Sequence, residues 1–520
     1  MTAQLSSRIA PVLTLYTAAI TACGVASVQV AESPQTARQR ADSAFNTEAY
    51  AAIVDNPFLA TSANPLSTFS IDVDRASYAN VRRFINEGQL PPKDAVRIEE
   101  LVNYFTYDDP PPTGSAPFAV RTELAPAPWR PQHRLLRIGL KARAIDPVAA
   151  PPSNFVFLID VSGSMQPPNK LPLLKQAFGL LVNELRPSDH VALVVYAGSV
   201  GLVLESTPGD HKEEILAAIE RLEAGGSTAG GAGLRLAYDV ARQNFITGGN
   251  NRVILATDGD FNVGESSDAA MMRLVEERRE QGTFLTALGF GMGNLKDSKL
   301  ETVADKGNGN YAYIDDIAEA RKVLVEELGG TLYAVAKDVK LQVEFNPAVV
   351  QGYRLIGYEN RLLAAEDFND DRKDAGELGS GHSVTALYEL VPVGVVSDVE
   401  LRTPDSLRYQ RAAVATGSGR ELAYVKLRYK QPDGDESALL EHTVANRDTQ
   451  PTTDFTFSAA VASFGMILRD SPYRGNSSLE RVLALARDGL GEDHGGHRTG
   501  FVQLVESARI LAEQVASRSR

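Results

Sequence analysis

The sequence predicts an α/β protein: a doubly wound parallel sheet inserted into a β-sandwich, with helical segments at both ends. Three observations predict this. Between residues 152 and 330, short runs of consecutive apolar residues alternate with segments of helical period. On either side, at 118–148 and 335–447, apolar and polar residues alternate singly, as in half-buried strands. Outside those, at 67–110 and 454–518, apolar residues recur at helical spacing. The length of 520 residues suits about three domains.

The N-terminus reads as an address. Arg8 is the only charged residue before Cys23, and residues 9–20 are uncharged and largely apolar. That stretch is too short to span a bilayer as a mature helix. A basic start, a short apolar stretch and small residues before a cut describe a secretory signal. Ile20-Thr21-Ala22-Cys23 resembles the bacterial lipobox, in which the cysteine is lipidated and becomes the new N-terminus. The alternative is an ordinary signal peptide with an incidental cysteine. Lipidation would make Cys23 a membrane anchor in the bacterial envelope, on the outer membrane of a Gram-negative cell facing the periplasm. Cys23 is the only cysteine, which excludes internal disulfides and cysteine-rich zinc sites within one chain. Residues 24–66, rich in Ala, Ser, Gln, Thr and Pro, read as a disordered tether.

Each later element follows from its own pattern. Tyr78, Val81, Phe84 and Ile85 share one helical face, and Val96, Ile98, Leu101, Val102 and Phe105 another. Asp108-Asp109-Pro110-Pro111-Pro112 ends that region, because proline cannot continue a helix. Residues 118–124 and 134–141 read as two strands joined by a Pro-rich turn. Strands at 155–160, 191–196, 252–257 and 284–289 are continuous apolar runs, which suit burial on both faces. Helices are expected at 171–185, 212–222, 232–245, 268–281 and 317–328. Strands return at 339–345, 383–389 and 422–429. Isolated hairpins are marginal, so the two β-rich flanks are expected to form one sandwich. Helices at 458–468, 479–487 and 500–516 close the chain.

The chemistry concentrates at strand ends. The first α/β strand runs into Asp160-Val161-Ser162-Gly163-Ser164. In a doubly wound fold, ligands sit beyond the C-terminal ends of the strands. This turn offers one carboxylate and two hydroxyls, hard donors suited to Mg2+, Mn2+ or Ca2+. Taken alone it could equally be a helix N-cap. Gly225-Gly226-Ser227-Thr228 adds a hydroxyl at a helix mouth, and the strand at 252–257 ends in Asp258. Three loops thus deliver Asp160, Ser162, Ser164, Thr228 and Asp258 to one crevice.

These residues, in this order, resemble the von Willebrand factor type A (VWA) domain and its metal-ion-dependent adhesion site. In that family the serines and threonine supply hydroxyls, the aspartates bind directly or through water, and a partner's acidic group completes the shell. The flanks extend the resemblance. Thr68 to Tyr78, Arg97 to Phe105, Tyr358 to Arg361, Asp367 to Asp371 and Ala386 to Glu389 are similar to YfbK-type bacterial VWA lipoproteins. The resemblance implies a protein-binding module whose metal bridges to an Asp or Glu of its partner.

Other signals are weaker. Asp367-x-Asn369-x-Asp371 opens like a calcium loop, but Arg372 stands at the turn glycine and Leu378 at the bidentate glutamate. His494 and His497 have no third ligand marked nearby, and Gly289-Phe290-Gly291-Met292-Gly293 lacks the dinucleotide register. The 52 basic against 66 acidic residues give a net charge of −14, which disfavours nucleic acid as a partner. Two other functions stay open: a structural part of an envelope assembly with a merely stabilising metal, or a metal-dependent hydrolase using Asp260.

Overall fold

The structure, a computed structural model, describes residues 47–71, 74–146, 149–197, 199–226, 230–259, 268–327, 333–403, 419–432 and 434–518. Cys23 and residues 24–46 of the expected tether, Thr228 and Asp260 lie outside the described residues.

Strand Ser153–Asp160 shows why its sequence is apolar throughout. Phe155, Phe157 and Ile159 enter one core, while Val156 and Leu158 enter a second on the opposite face. It lies between His190–Tyr196 and Asn250–Thr257, parallel to both. The six strands run in the order Tyr311–Ile314, Thr283–Phe290, Asn250–Thr257, Ser153–Asp160, His190–Tyr196 and Val200–Pro208. The chain winds outward in both directions from Ser153–Asp160, so the strand order reverses at its C-terminal end. Helices Leu171–Glu184, Lys212–Glu220, Gly230–Gln243 and Asp268–Glu280 fall where the periodicity places them, while the helix expected at 317–328 is α-helical only over Ile317–Arg321 and continues as a π-helix over Lys322–Glu326. One strand departs from the expected parallel sheet. Val200–Pro208 is an antiparallel edge, because the link from Tyr196 to Val200 is too short for a crossover.

The two β-rich flanks do form one sandwich. One sheet orders Leu59–Ala60, Val350–Ile356, Ser383–Pro392, Arg130–Ala142 and Phe118–Ala127. The other orders Gly376–Gly379, Ala334–Phe345, Glu421–Lys430 and Ser437–Ala445, with Leu66–Ser70 also paired to Ala334–Phe345. Leu136, Ile138, Leu341, Val343 and Val425 share the core between them. Arg137 is fully buried in the first sheet, where Asp109 (2.9 and 2.6 Å) and Glu123 (3.2 Å) neutralise it.

Helices Ala76–Asn86 and Ile98–Asn103 pack with Thr453–Leu468, Leu479–Asp488 and His497–Arg518. Tyr78, Phe105, Phe457 and Phe501 meet in that one core. The helical ends of the chain therefore make a single layer. Arg82 binds Asp315 (2.8 Å) and Glu319 (2.7 Å), and Arg97 bridges Glu100 and Asp297, fastening this layer to the α/β domain.

Residues 47–66 are packed rather than tether-like. Phe58 is fully buried edge-on to His133 and Tyr473, and Asn56 donates to Leu355 O and Gly357 O. Few large apolar residues are needed when each finds a preformed socket. Similarly, Thr68, Phe69 and Ser70 extend as a strand and not a helix, because Ala334–Phe345 offers them a sheet edge.

Candidate metal centre

Asp160 ends the central strand and Asp258 follows the end of its neighbour, so the sheet itself sets them side by side. Both are fully buried. Asp160 Oδ1 accepts the Ser162 N–H at 2.9 Å. Its Oδ2 accepts from Thr257 Oγ1 at 3.0 Å and from the Tyr196 hydroxyl at 3.2 Å. These three donors orient the carboxylate. The hydroxyls of Ser162 and Ser164 lie 3.0 Å apart on the next turn. The Gly225–Gly226 loop is tied to that turn by Gly163 N to Gly226 O (3.1 Å) and Gly225 N to Val161 O (2.7 Å). Thr228 follows two residues later, outside the described residues.

The two carboxylates differ in their electrostatics. Burial pushes Asp160 up to about 6, and the nearby charge of Asp258 adds to this against the hydrogen bonds from Ser162 and Thr257. Burial would raise Asp258 as well. The Lys170 ammonium, with hydrogen bonds from Asn294 and Ser164, instead holds it below the usual carboxylate range. Lys170 Nζ donates to Asp258 Oδ2 at 2.8 Å and to Asn294 Oδ1 at 3.0 Å. Its stem passes over Gly291, where a Cβ would stand 2.3 Å from Lys170 Cε and where φ is +70°. That glycine belongs to the stretch with the wrong register for a dinucleotide. Its place in the fold is to let the lysine through.

Of the five expected ligands, Asp160, Ser162, Ser164 and Asp258 converge. Sequence reasoning missed Lys170, Asn294, Tyr196 and Thr257. Lys170 carried one usable signal. A cation at the start of helix Leu171–Glu184 sits at the unfavourable end of the dipole, a small cost that does not name its partner.

The donor set is two carboxylates and two hydroxyls, all oxygen, which fits a hard divalent cation. Among the described residues no cluster of three or more His, Cys, Asp or Glu could hold a metal. His494 lies on the surface, and His497 reaches Glu326 at 3.2 Å instead of a shared ligand. Asp367 Oδ2 accepts from Ala364 N and Asp371 Oδ1 from Ser437 Oγ, so both serve as local braces. A Ser397–His133–Glu389 row also exists, with both links at 2.6 Å. Trp129 Nε1 (2.8 Å) and Arg130 Nη1 (3.1 Å) engage the same Glu389, and the row braces a loop against the sandwich. A cleft of about 870 Å³ lies elsewhere, between the sandwich, residues 322–327 and the C-terminal helices. Two of its ion pairs are Lys322 with Glu327 and Arg498 with Asp454.

Comparison with known proteins identifies the family. The von Willebrand factor type A domain model matches residues 154–326, and a model described as von Willebrand factor matches 44–137. The C-terminal model of uncharacterized protein YfbK matches 330–511. Uncharacterized protein YfbK of Escherichia coli (strain K12) is 47% identical over 471 residues, 89% of this chain and 81% of that protein. The chain belongs to the YfbK family. Its VWA domain spans the doubly wound sheet. Over 192 residues the YfbK-family chain is 31% identical to uncharacterized protein sll0103 of Synechocystis sp., 36% of this chain and 43% of that protein. Among solved structures, a von Willebrand factor type A protein from Catenulispora acidiphila matches with TM-score 0.42 and 18% identity, over 73% of this chain and 88% of that one.

Proposed function

We propose that this YfbK-family chain is a metal-dependent protein-binding module of the bacterial envelope. Asp160, Ser162, Ser164 and Asp258, with Thr228, hold Mg2+, or Mn2+ or Ca2+ in its place. The metal supplies a Lewis-acidic position for an Asp or Glu of a partner protein. The observation that carries this reading is the convergence of two fully buried carboxylates and two adjacent hydroxyls at the strand switch point. Lys170 neutralises Asp258, but among the described residues Asp160 has no cation of its own, and a buried carboxylate without one is costly. No residue is assigned a catalytic role. The lipid anchor belongs to the same reading: Cys23 tethers the module to the membrane. Among the described residues no helix is long and apolar enough to cross one.

The test is a crosslinked pulldown from the native envelope, with wild type against Asp160→Ala, each with and without magnesium. Wild type with magnesium is expected to capture a partner that Asp160→Ala loses. Equal capture in all four arms rejects a metal bridge. If metal removal lowers the melting temperature but leaves capture intact, the metal is structural only. Cys23→Ala protein is expected to leave the membrane fraction and take up no fatty-acid label. Its retention there would reject the anchor.

A further inference from the structure

Lys170 is a fixed positive charge inside the candidate metal centre. Its ammonium is 2.8 Å from Asp258 Oδ2 and 3.0 Å from Asn294 Oδ1, and the side chain is buried. Helix Leu171–Glu184, which begins beside it, does not explain it, since a cation weakens a helix N-terminus. Its stem lies against Gly291, where any side chain would collide with it.

Charge counting then has a consequence. As ionised residue types, Asp160 and Asp258 bring two negative charges and Lys170 one positive. A divalent cation added to two carboxylates alone would make a neutral site. With Lys170 present, the loaded site carries one excess positive charge. Net charge in a buried place is expensive, so the loaded site favours an anion as its last ligand. The same lysine opposes the metal before that anion arrives, by repulsion and by occupying one oxygen of Asp258.

We infer that Lys170 lowers the affinity of the empty site for divalent metal and makes the metal-loaded site demand a carboxylate, so that metal and acidic partner bind cooperatively. This rests on the metal-site reading above. Reciprocity requires that a carboxylate tighten metal binding by the factor by which metal tightens the carboxylate.

The experiment is calorimetric titration of the purified full chain with magnesium, in acetate and in chloride at equal ionic strength. Wild type is expected to bind magnesium more tightly in acetate than in chloride. Lys170→Met is expected to bind magnesium in chloride about tenfold more tightly than wild type, about 1.4 kcal/mol, and to lose the acetate enhancement. An unchanged or weaker magnesium affinity, or an undiminished acetate effect, overturns the inference. The same comparison in an Asp258→Asn background leaves no unpaired carboxylate when the lysine is removed. There too the loss of Lys170 is expected to tighten magnesium, so a folding failure of the single variant does not spare the idea. A different outcome overturns the metal site itself: wild type that takes no magnesium, or Asp160→Ala that takes as much as wild type.

Discussion

Asp160→Asn is expected to stabilise the metal-free protein while removing its response to magnesium. The carboxyl is fully buried, and burial raises its pKa from 3.8 to about 6. A raised carboxyl binds its proton more tightly in the folded state than in the unfolded one. Stability therefore falls as the pH rises from 3.8 through 6, and the whole cost is present at pH 7. At about 1.4 kcal/mol per pH unit that cost is about 3 kcal/mol. The amide recovers less than this. It keeps an acceptor for Ser162 N–H, but its NH2 meets the hydroxyls of Thr257 and Tyr196, which must turn to accept. A net gain of about 1–2 kcal/mol remains after one imperfect hydrogen bond. The assay is urea unfolding of both proteins in a chelator, at pH 7 and near pH 4, then at pH 7 with magnesium. The variant should be more stable at pH 7, and the difference should shrink at the lower pH. Magnesium should raise the wild type alone, and less so below pH 6, where it must displace the Asp160 proton. Equal or lower stability of Asp160→Asn at both pH values would refute the electrostatic reasoning.

Two further predictions concern the frame that holds the site. Arg137→Met leaves Asp109 buried without its cation, and Glu123 with only Arg121 at 3.8 Å, and should cost about 3–5 kcal/mol in urea unfolding; a loss below about 1 kcal/mol would show that water reaches them. Phe58→Ala should cost about 3–5 kcal/mol, because the ring fills a closed socket beside His133 and Tyr473. An unchanged unfolding midpoint would return residues 47–66 to the role of a loose tether.

Much of the site was legible because its residues are local or terminate strands. Asp160, Ser162 and Ser164 lie within one turn, and an apolar strand ending in a carboxylate marks Asp258. Lys170 was not legible, because a lysine before a helix looks solvated until Gly291 and Asn294 are brought against it from beyond residue 290. Tyr196 and Thr257 were counted as apolar strand ends, and only their neighbours in the sheet turn their hydroxyls toward Asp160. The antiparallel edge at Val200–Pro208 and the four-residue strand Gly376–Gly379 escaped because edge and short strands carry weak periodicity.

By itself the sequence determined the α/β core, the two-flank sandwich and the oxygen donors of the candidate site. Those follow from apolar periodicity and from donor chemistry, both written residue by residue. Only the tertiary structure decided that the two helical ends share one core, that residues 47–66 are packed, and that a buried lysine faces Asp258. Each of those pairs residues far apart in the chain. Their energy comes from closing long loops around a common core and from desolvating charges together, and neither quantity exists until the chain has folded.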